Sequence, residues 1–332
     1  METNVTKETK KHFSKVGLIL FIGTILIYTV QIIAMVIASN VPFIAGNANL
    51  AFITAMLPMY IIAFPIIFLL FKKIPSQFTG EKKKMRISHL LIALSICYAA
   101  TYVCNIIGTL ITTVVGIIKQ SPVQNVLAEL TGSINPLTTF FIIVVCAPVM
   151  EELLFRKFLI SRTARYGEGV AVVLSGILFG LFHGNLNQFA YAFTLGVLFG
   201  FVYVKTQNIL YPIIFHVAIN FFGSFVTTLI LEVSGYMELT QLTTSGATPE
   251  EIAAFSAQHA GSLLIYTLYC IMLIAFVILG IVLFFVNKKK FTFNPGEVVI
   301  EKGQRFKTVL LNVGMILYCA FWIIQIIIQL FA

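Results

Sequence analysis

Charge is what this chain has least of. Only 11% of its 332 residues are Asp, Glu, Lys or Arg, against about 25% in an average soluble domain, and that excludes an ordinary soluble fold. Other signatures are missing too. The five cysteines (Cys97, Cys104, Cys146, Cys270 and Cys319) are scattered through apolar segments with no CxxC spacing, so neither a disulfide framework nor a thiolate metal site follows from them. The HExxH spacing of a compact zinc site is absent. No inverted repeat is visible, which counts against a transporter. The apolar stretch 16–38 has no small-residue cleavage site after it and is too long for a signal-peptide core, so it reads as an uncleaved first span.

What the chain does have is apolar length. Hydrophobic residues make up 59% of it, in recurring runs of about 20, the mark of membrane-spanning helices. The pattern predicts nine spans: 16–38, 50–71, 88–118, 137–160, 170–185, 189–205, 209–231, 262–287 and 307–331. Of the 22 lysines and arginines, all but Lys119 then fall on one side of the membrane. By the positive-inside rule the N-terminus is cytoplasmic and the C-terminus external. The net charge of +9 is therefore a topology signal, and no nucleic-acid partner is expected. The predicted architecture is an all-α, polytopic transmembrane helix bundle in the cell membrane, with the lipid bilayer as its first partner. Residues 1–136 form N-terminal spans plus an interfacial helix, 137–231 the core, and 232–332 an external loop and the C-terminal spans. The interfacial helix is read in 121–132, where Ser121 and Pro122 open a helical spacing that Gly132 stops. A similar opening, Thr248 and Pro249, starts a piece at 248–259. Glycines 176 and 180, and 196 and 200, form two GxxxG patterns, read as close helix–helix approach. Oligomeric state is left open.

Few ionisable groups are left inside the hydrocarbon. Of 13 acids, only Glu151 and Glu152 fall within a span, and of the histidines only His183 and His216 are embedded. Intramembrane acids cost about 2.5–3.5 kcal/mol or more on insertion scales and face a cavity or a partner. Glu151 lies about fifteen residues before the turn near 165–168 and His183 about sixteen after it, which puts both at one depth at about 1.5 Å per residue. Asn220 follows His216 at i+4, on the same helix face. Adjacent residues point about 100° apart on a helix, so the two glutamates have different jobs. Glu152 and Arg156 are spaced i,i+4 as a pair, with Arg156 snorkelling to the membrane surface. Glu151 is left for the interior, and Pro148 is expected to kink its helix.

A carboxylate shielded from bulk water can serve as general base toward water. One histidine can orient that water, and a second with an Asn amide can donate to a developing oxyanion. Together they suit amide hydrolysis within the membrane. The same Glu and His groups are also ordinary zinc ligands, so a divalent metal on Glu151, His183 and His216 and a metal-free mechanism both stand open. A purely structural polar clamp, in a non-catalytic immunity or regulatory protein, is the competing reading.

The residues also carry a resemblance. "EELLFR" (151–156) matches EExxxR, "FGLFH" (Phe179 to His183) matches FxxxH, and "HVAIN" (His216 to Asn220) matches HxxxN. Their order and spacing over about 137–225 resemble the CPBP family, intramembrane metalloproteases related to the type II CAAX prenyl endopeptidase and to bacteriocin self-immunity proteins. The resemblance implies a catalytic core at 137–231 that opens toward the cytoplasmic side. It implies an endopeptidase acting on membrane-associated peptide or protein substrates, prenylated or leader-bearing. Glu151 would activate water with His183 as its partner, and His216 and Asn220 would form the oxyanion site. Glu152, Arg156 and Phe179 would be structural. The family's metal, zinc, and a metal-free glutamate mechanism are both implied.

Overall fold

The computed structural model describes residues 4–76, 78, 81–124 and 134–331. Eight of its helices are long and apolar enough to cross a membrane. These are α1 (Asn4–Asn40), α2 (Ala48–Lys72), α3 (Ile87–Lys119) and α4 (Pro136–Tyr166), followed after a shorter α5 (Glu168–Phe182) by α6 (Leu186–Thr206), α7 (Leu210–Ser234), α8 (Ala260–Lys290) and α9 (Val313–Phe331). No strand occurs among the described residues. The protein is an all-helical, multi-pass membrane protein, and each predicted span has its helix.

The fifth span is where the reading needs adjusting. It stops at Phe182, short of the predicted 185, and its 15 residues rise only about 22 Å against the roughly 30 Å of a hydrocarbon core. Gly184 turns the chain with φ +64, a left-handed conformation that suits glycine. Asn185 then caps α6, its side chain accepting from the Gln188 amide at 2.9 Å. Trp322 of α9 lies over this turn, 3.1 Å from where a Cβ on Gly184 would sit. His183 therefore caps the end of a short helix.

Helix α4 runs through the centre, against α5, α6 and α7. It does not simply kink at Pro148. Two π-helical stretches, Phe140–Cys146 and Leu153–Ile160, flank the α-helical turn Ala147–Glu152. The Ala147 N–H reaches back five residues to the Ile142 carbonyl. Pro148 has no N–H to continue that register, which would leave the Ile143 carbonyl without its backbone donor. Asn220 of α7 donates its side-chain N–H to that carbonyl at 3.0 Å. In the second stretch, Ser175 of α5 donates to the Phe155 carbonyl at 2.9 Å. Both wide turns are thus stitched to neighbouring helices, which is how irregular backbone is tolerated at membrane depth.

The two GxxxG patterns are where α5 and α6 touch. A Cβ on Gly196 would lie 2.7 Å from the Gly176 Cα, and one on Gly200 3.1 Å from Ile160 of α4. A second backbone contact joins α1 to α9, where Gly314 fits against the Ser14 carbonyl and its N–H donates to Ser14 Oγ at 3.2 Å. Helices α3 and α6 pack together, and α8 leans on the outer side of α3. Half of the most apolar stretch of α6 is buried by the bundle but only 11% of that of α8, so α8 is the peripheral helix. Most of the predicted interfacial helix at 121–132 lies outside the described residues. The piece at 248–259 forms a helix, Pro249–Gln258, opened by a reciprocal cap between Thr248 and Glu251.

Candidate active site

Four ionisable side chains meet in the middle of the bundle. Glu152 Oε2 lies 3.0 Å from Arg156 Nε, and both side chains are wholly buried. Arg156 does not snorkel as the i,i+4 spacing suggested. Its guanidinium sits 4.3 Å from the centre of the Phe179 ring and 5.5 Å from that of Phe199, a cation–π enclosure inside the bundle. In the π-helical stretch 153–160, Leu154, Phe155, Arg156 and Phe158 are buried while Lys157 is exposed.

His216 of α7 joins the two glutamates. Its Nδ1 lies 2.9 Å from Glu152 Oε1 and its Nε2 3.8 Å from Glu151 Oε2. The expectation that the glutamates face different groups needs correcting here: one imidazole has its two nitrogens on the two carboxylates. The histidine nearest Glu151 is His216, not the expected His183. The two acids differ in burial. Glu152 is wholly buried and paired twice, whereas the Glu151 side chain keeps 16% of its surface exposed.

His183 is fixed from behind. Its Nδ1 lies 2.9 Å from the Phe179 carbonyl one turn earlier, and since a carbonyl only accepts, Nδ1 carries the hydrogen. In the neutral ring Nε2 is then the bare acceptor. Phe179 holds both imidazoles edge-on, with ring centroids 4.8 Å from His183 and 5.7 Å from His216. The FxxxH phenylalanine therefore touches Arg156 and both histidines at once.

Glu151, His183, His216 and Asn220 line one cavity of about 230 Å³ between α3, α4, α5, α6 and α7. Asn220 is not the free oxyanion donor expected, since one of its N–H groups is engaged by the Ile143 carbonyl. Two residues on this wall were missed by sequence reasoning, Gln188 and Tyr191 of α6. Asn185 Nδ2 donates to the His183 carbonyl at 2.9 Å and to Gln188 Oε1 at 2.5 Å. Gln188 Nε2 then donates to the Tyr191 hydroxyl oxygen at 2.6 Å. Because that oxygen accepts from Gln188, the hydroxyl hydrogen of Tyr191 is left for the cavity. The available signal was the spacing of three between Asn185, Gln188 and Tyr191, but Asn187 and Thr194 in the same stretch dilute it.

The fit of a metal can be judged on these donors. Both imidazoles have Nδ1 anchored on an acceptor, as metal-ligating histidines do. Among the described residues, however, no three His, Cys, Asp or Glu side chains are grouped so that they could hold an ion. As arranged, Glu151, His183 and His216 do not fit a metal, and no step below runs through one.

The bundle thus holds a cavity lined by Glu151, His183, His216 and Asn220, beside the buried Glu152–Arg156 pair. Residues 132–222 match the family model described as type II CAAX prenyl endopeptidase Rce1-like. It is 27% identical over 215 residues, 60% of this chain and 85% of the relative, to the membrane-embedded CAAX protease MroQ of Staphylococcus aureus. It is 26% identical over 186 residues, 54% of this chain and 72% of the relative, to the protein named "Putative membrane peptidase YdiL" of Bacillus subtilis. A third relative, the UPF0177 protein YxdF of Lactococcus lactis, is 26% identical over 124 residues, 37% of this chain and 69% of its own length. No solved structure matches the chain. The family match and the names of the relatives support a membrane protease role.

Proposed function

We propose that the protein is an intramembrane endopeptidase in which Glu151 activates water against a peptide carbonyl. The observation that carries this reading is the contrast between the adjacent acids: Glu152 is sealed and ion-paired to Arg156 and His216, while Glu151 lines a cavity with both histidines. Two carboxylates and one guanidinium need one more proton to be neutral in a dry bundle. With that proton on His216 Nε2, Glu151 is a bare carboxylate and His216 a donor. Glu151 takes a proton from a water that His183 Nε2 orients by accepting its other hydrogen. The oxygen adds to the carbonyl carbon, and the developing oxyanion receives hydrogen bonds from His216, the Tyr191 hydroxyl and the second N–H of Asn220. Glu151 then returns its proton to the leaving amine as the C–N bond breaks.

Substrates in this reading are membrane-associated peptides or proteins, with prenylated chains and leader peptides as the first classes to try. In this reading the N-terminus is cytoplasmic by the positive-inside rule. The test is cleavage of a panel of such peptides in detergent by wild type and Glu151→Ala, each with and without a chelator. The expected result is cleavage by wild type that resists chelation, and a loss of about 10²–10⁴-fold in the variant with unchanged accumulation in membranes. Full proteolysis by Glu151→Ala would overturn the base, and loss of wild-type activity on chelation would restore the zinc reading. The bond between His216 and Glu152 favours one alternative, a non-catalytic immunity or regulatory protein held together by the cluster. Protection or signalling that persists in a folded Glu151→Gln variant would support it.

A further inference from the structure

A second cavity, of about 280 Å³, lies between the ends of α3, α6 and α8. Its wall changes character along its length. Ile92, Ala93, Ile96 and Cys97 of α3 and Leu198 of α6 line its inner part, while His89, Lys205, Lys290 and Asn287 line its outer part. From Met85 to Cys97 is twelve residues, about 18 Å along a helix, so the slot runs inward from the basic end of the bundle.

The mouth is strongly cationic. The segments that form it carry Lys82, Lys83, Lys84, Arg86, Lys205, Lys288, Lys289 and Lys290, against Glu81 and Glu168. The basic segment before α3 is pinned across this end, with the Lys83 N–H on the Thr206 carbonyl at 2.8 Å and the Met85 N–H on the Tyr211 hydroxyl at 2.8 Å. Glu168 holds Lys205 at 2.5 Å and also binds Asn294. Lys290 donates only to the neutral Asn287, at 2.8 Å, so its charge is uncompensated by any carboxylate within ion-pair distance among the described residues. Arg86, which precedes the first turn of α3, supplies no side-chain cap to it.

We propose that this slot is a binding site for an anionic phospholipid of the surrounding bilayer, with one acyl chain among Ile92, Ala93, Ile96 and Leu198 and the headgroup phosphate at Lys205 and Lys290. An apolar trough ending in cations at the membrane surface matches the two halves of such a molecule. Basic pockets between transmembrane helices bind anionic headgroups in this way. A zwitterionic lipid satisfies the trough but not the rim, and a soluble phosphate the rim but not the trough. The site is distinct from the catalytic cavity and does not depend on the protease reading.

Native mass spectrometry of the full chain in detergent, titrated with phosphatidylglycerol or phosphatidylcholine of identical acyl chains, tests the proposal. The wild type should retain phosphatidylglycerol about tenfold more tightly than phosphatidylcholine. Lys290→Ala removes an exposed cation and should erase that preference. Ala93→Trp fills the trough and should lower retention of both lipids, while both variants keep the wild-type melting temperature when lipid-free. Inorganic phosphate and a long-chain fatty acid, added as competitors, should each displace the phospholipid only at far higher concentration. Equal retention of the two lipids by wild type, or phosphatidylglycerol retention unchanged in both variants, overturns the proposal. Full displacement by equimolar fatty acid would also overturn it, by assigning the slot to that amphiphile.

Discussion

The two cavities lie along the same seam between α3 and α6, and they are built the opposite way round. One keeps its charges at the centre of the bundle: Glu152 and Arg156 are wholly buried, and apolar helix faces enclose them. The other keeps its charges at the rim and is apolar within. A charge at the rim keeps its water and costs little, so Lys290 can remain without an ionic partner. A charge at the centre must be matched, and Glu152 is matched twice. The one carboxylate of the inner site with a looser arrangement, Glu151, is then the group whose burial needs a purpose. Matching therefore separates the scaffold from the working group better than depth does.

Several substitutions would break or sharpen this contrast. The largest effect is expected at Glu151, where Glu151→Gln keeps shape and burial but removes the base, lowering turnover of a cleaved peptide by about 10²–10⁴-fold. Next comes Glu152→Leu, which strands Arg156 and should cost about 3–5 kcal/mol of stability, read as a fall in melting temperature and in membrane yield. Tyr191→Phe removes one donor from the cavity wall and should lower kcat about 10²-fold with KM little changed. A structural role alone would move the melting temperature instead, so both are measured. Gly196→Ala pushes a methyl onto the Gly176 backbone and should cost about 1–3 kcal/mol. Lys290→Ala, at the rim of the other cavity, should leave basal cleavage unchanged, and a large loss of activity there would show that the two cavities are one functional unit.

The number and order of helices were legible because span hydropathy is a long-range average that one residue barely changes. The end of α5 was not, since it depends on Gly184 turning left-handed and on Asn185 capping the next helix, both local events inside an apolar run. Residue types picked out the cluster: Glu151, Glu152, His183 and His216 stand out as ionisable groups in apolar runs. Their partners were harder to read. The spacing of Glu152 and Arg156 gave the pair but not its burial, because an α-helical wheel was applied where the helix is π. The same shift, together with Pro148, decides what Asn220 bonds to, and no i,i+4 argument reaches across two helices to Ile143. Tyr191 escaped notice because tyrosine is ordinary in a membrane helix until Gln188 fixes which way its hydroxyl donates.

The contact between Gly314 and Ser14 has a consequence in time. These residues are 300 positions apart, so at a synthesis rate of about 5–20 residues per second the first helix waits about 15–60 s for its neighbour to be made. Until then the face of α1 that carries Gly17 has only lipid or another protein to lie against. A ribosome that stalls before Val313 leaves Glu151, Glu152, His183 and His216 translated while α1 still lacks this partner.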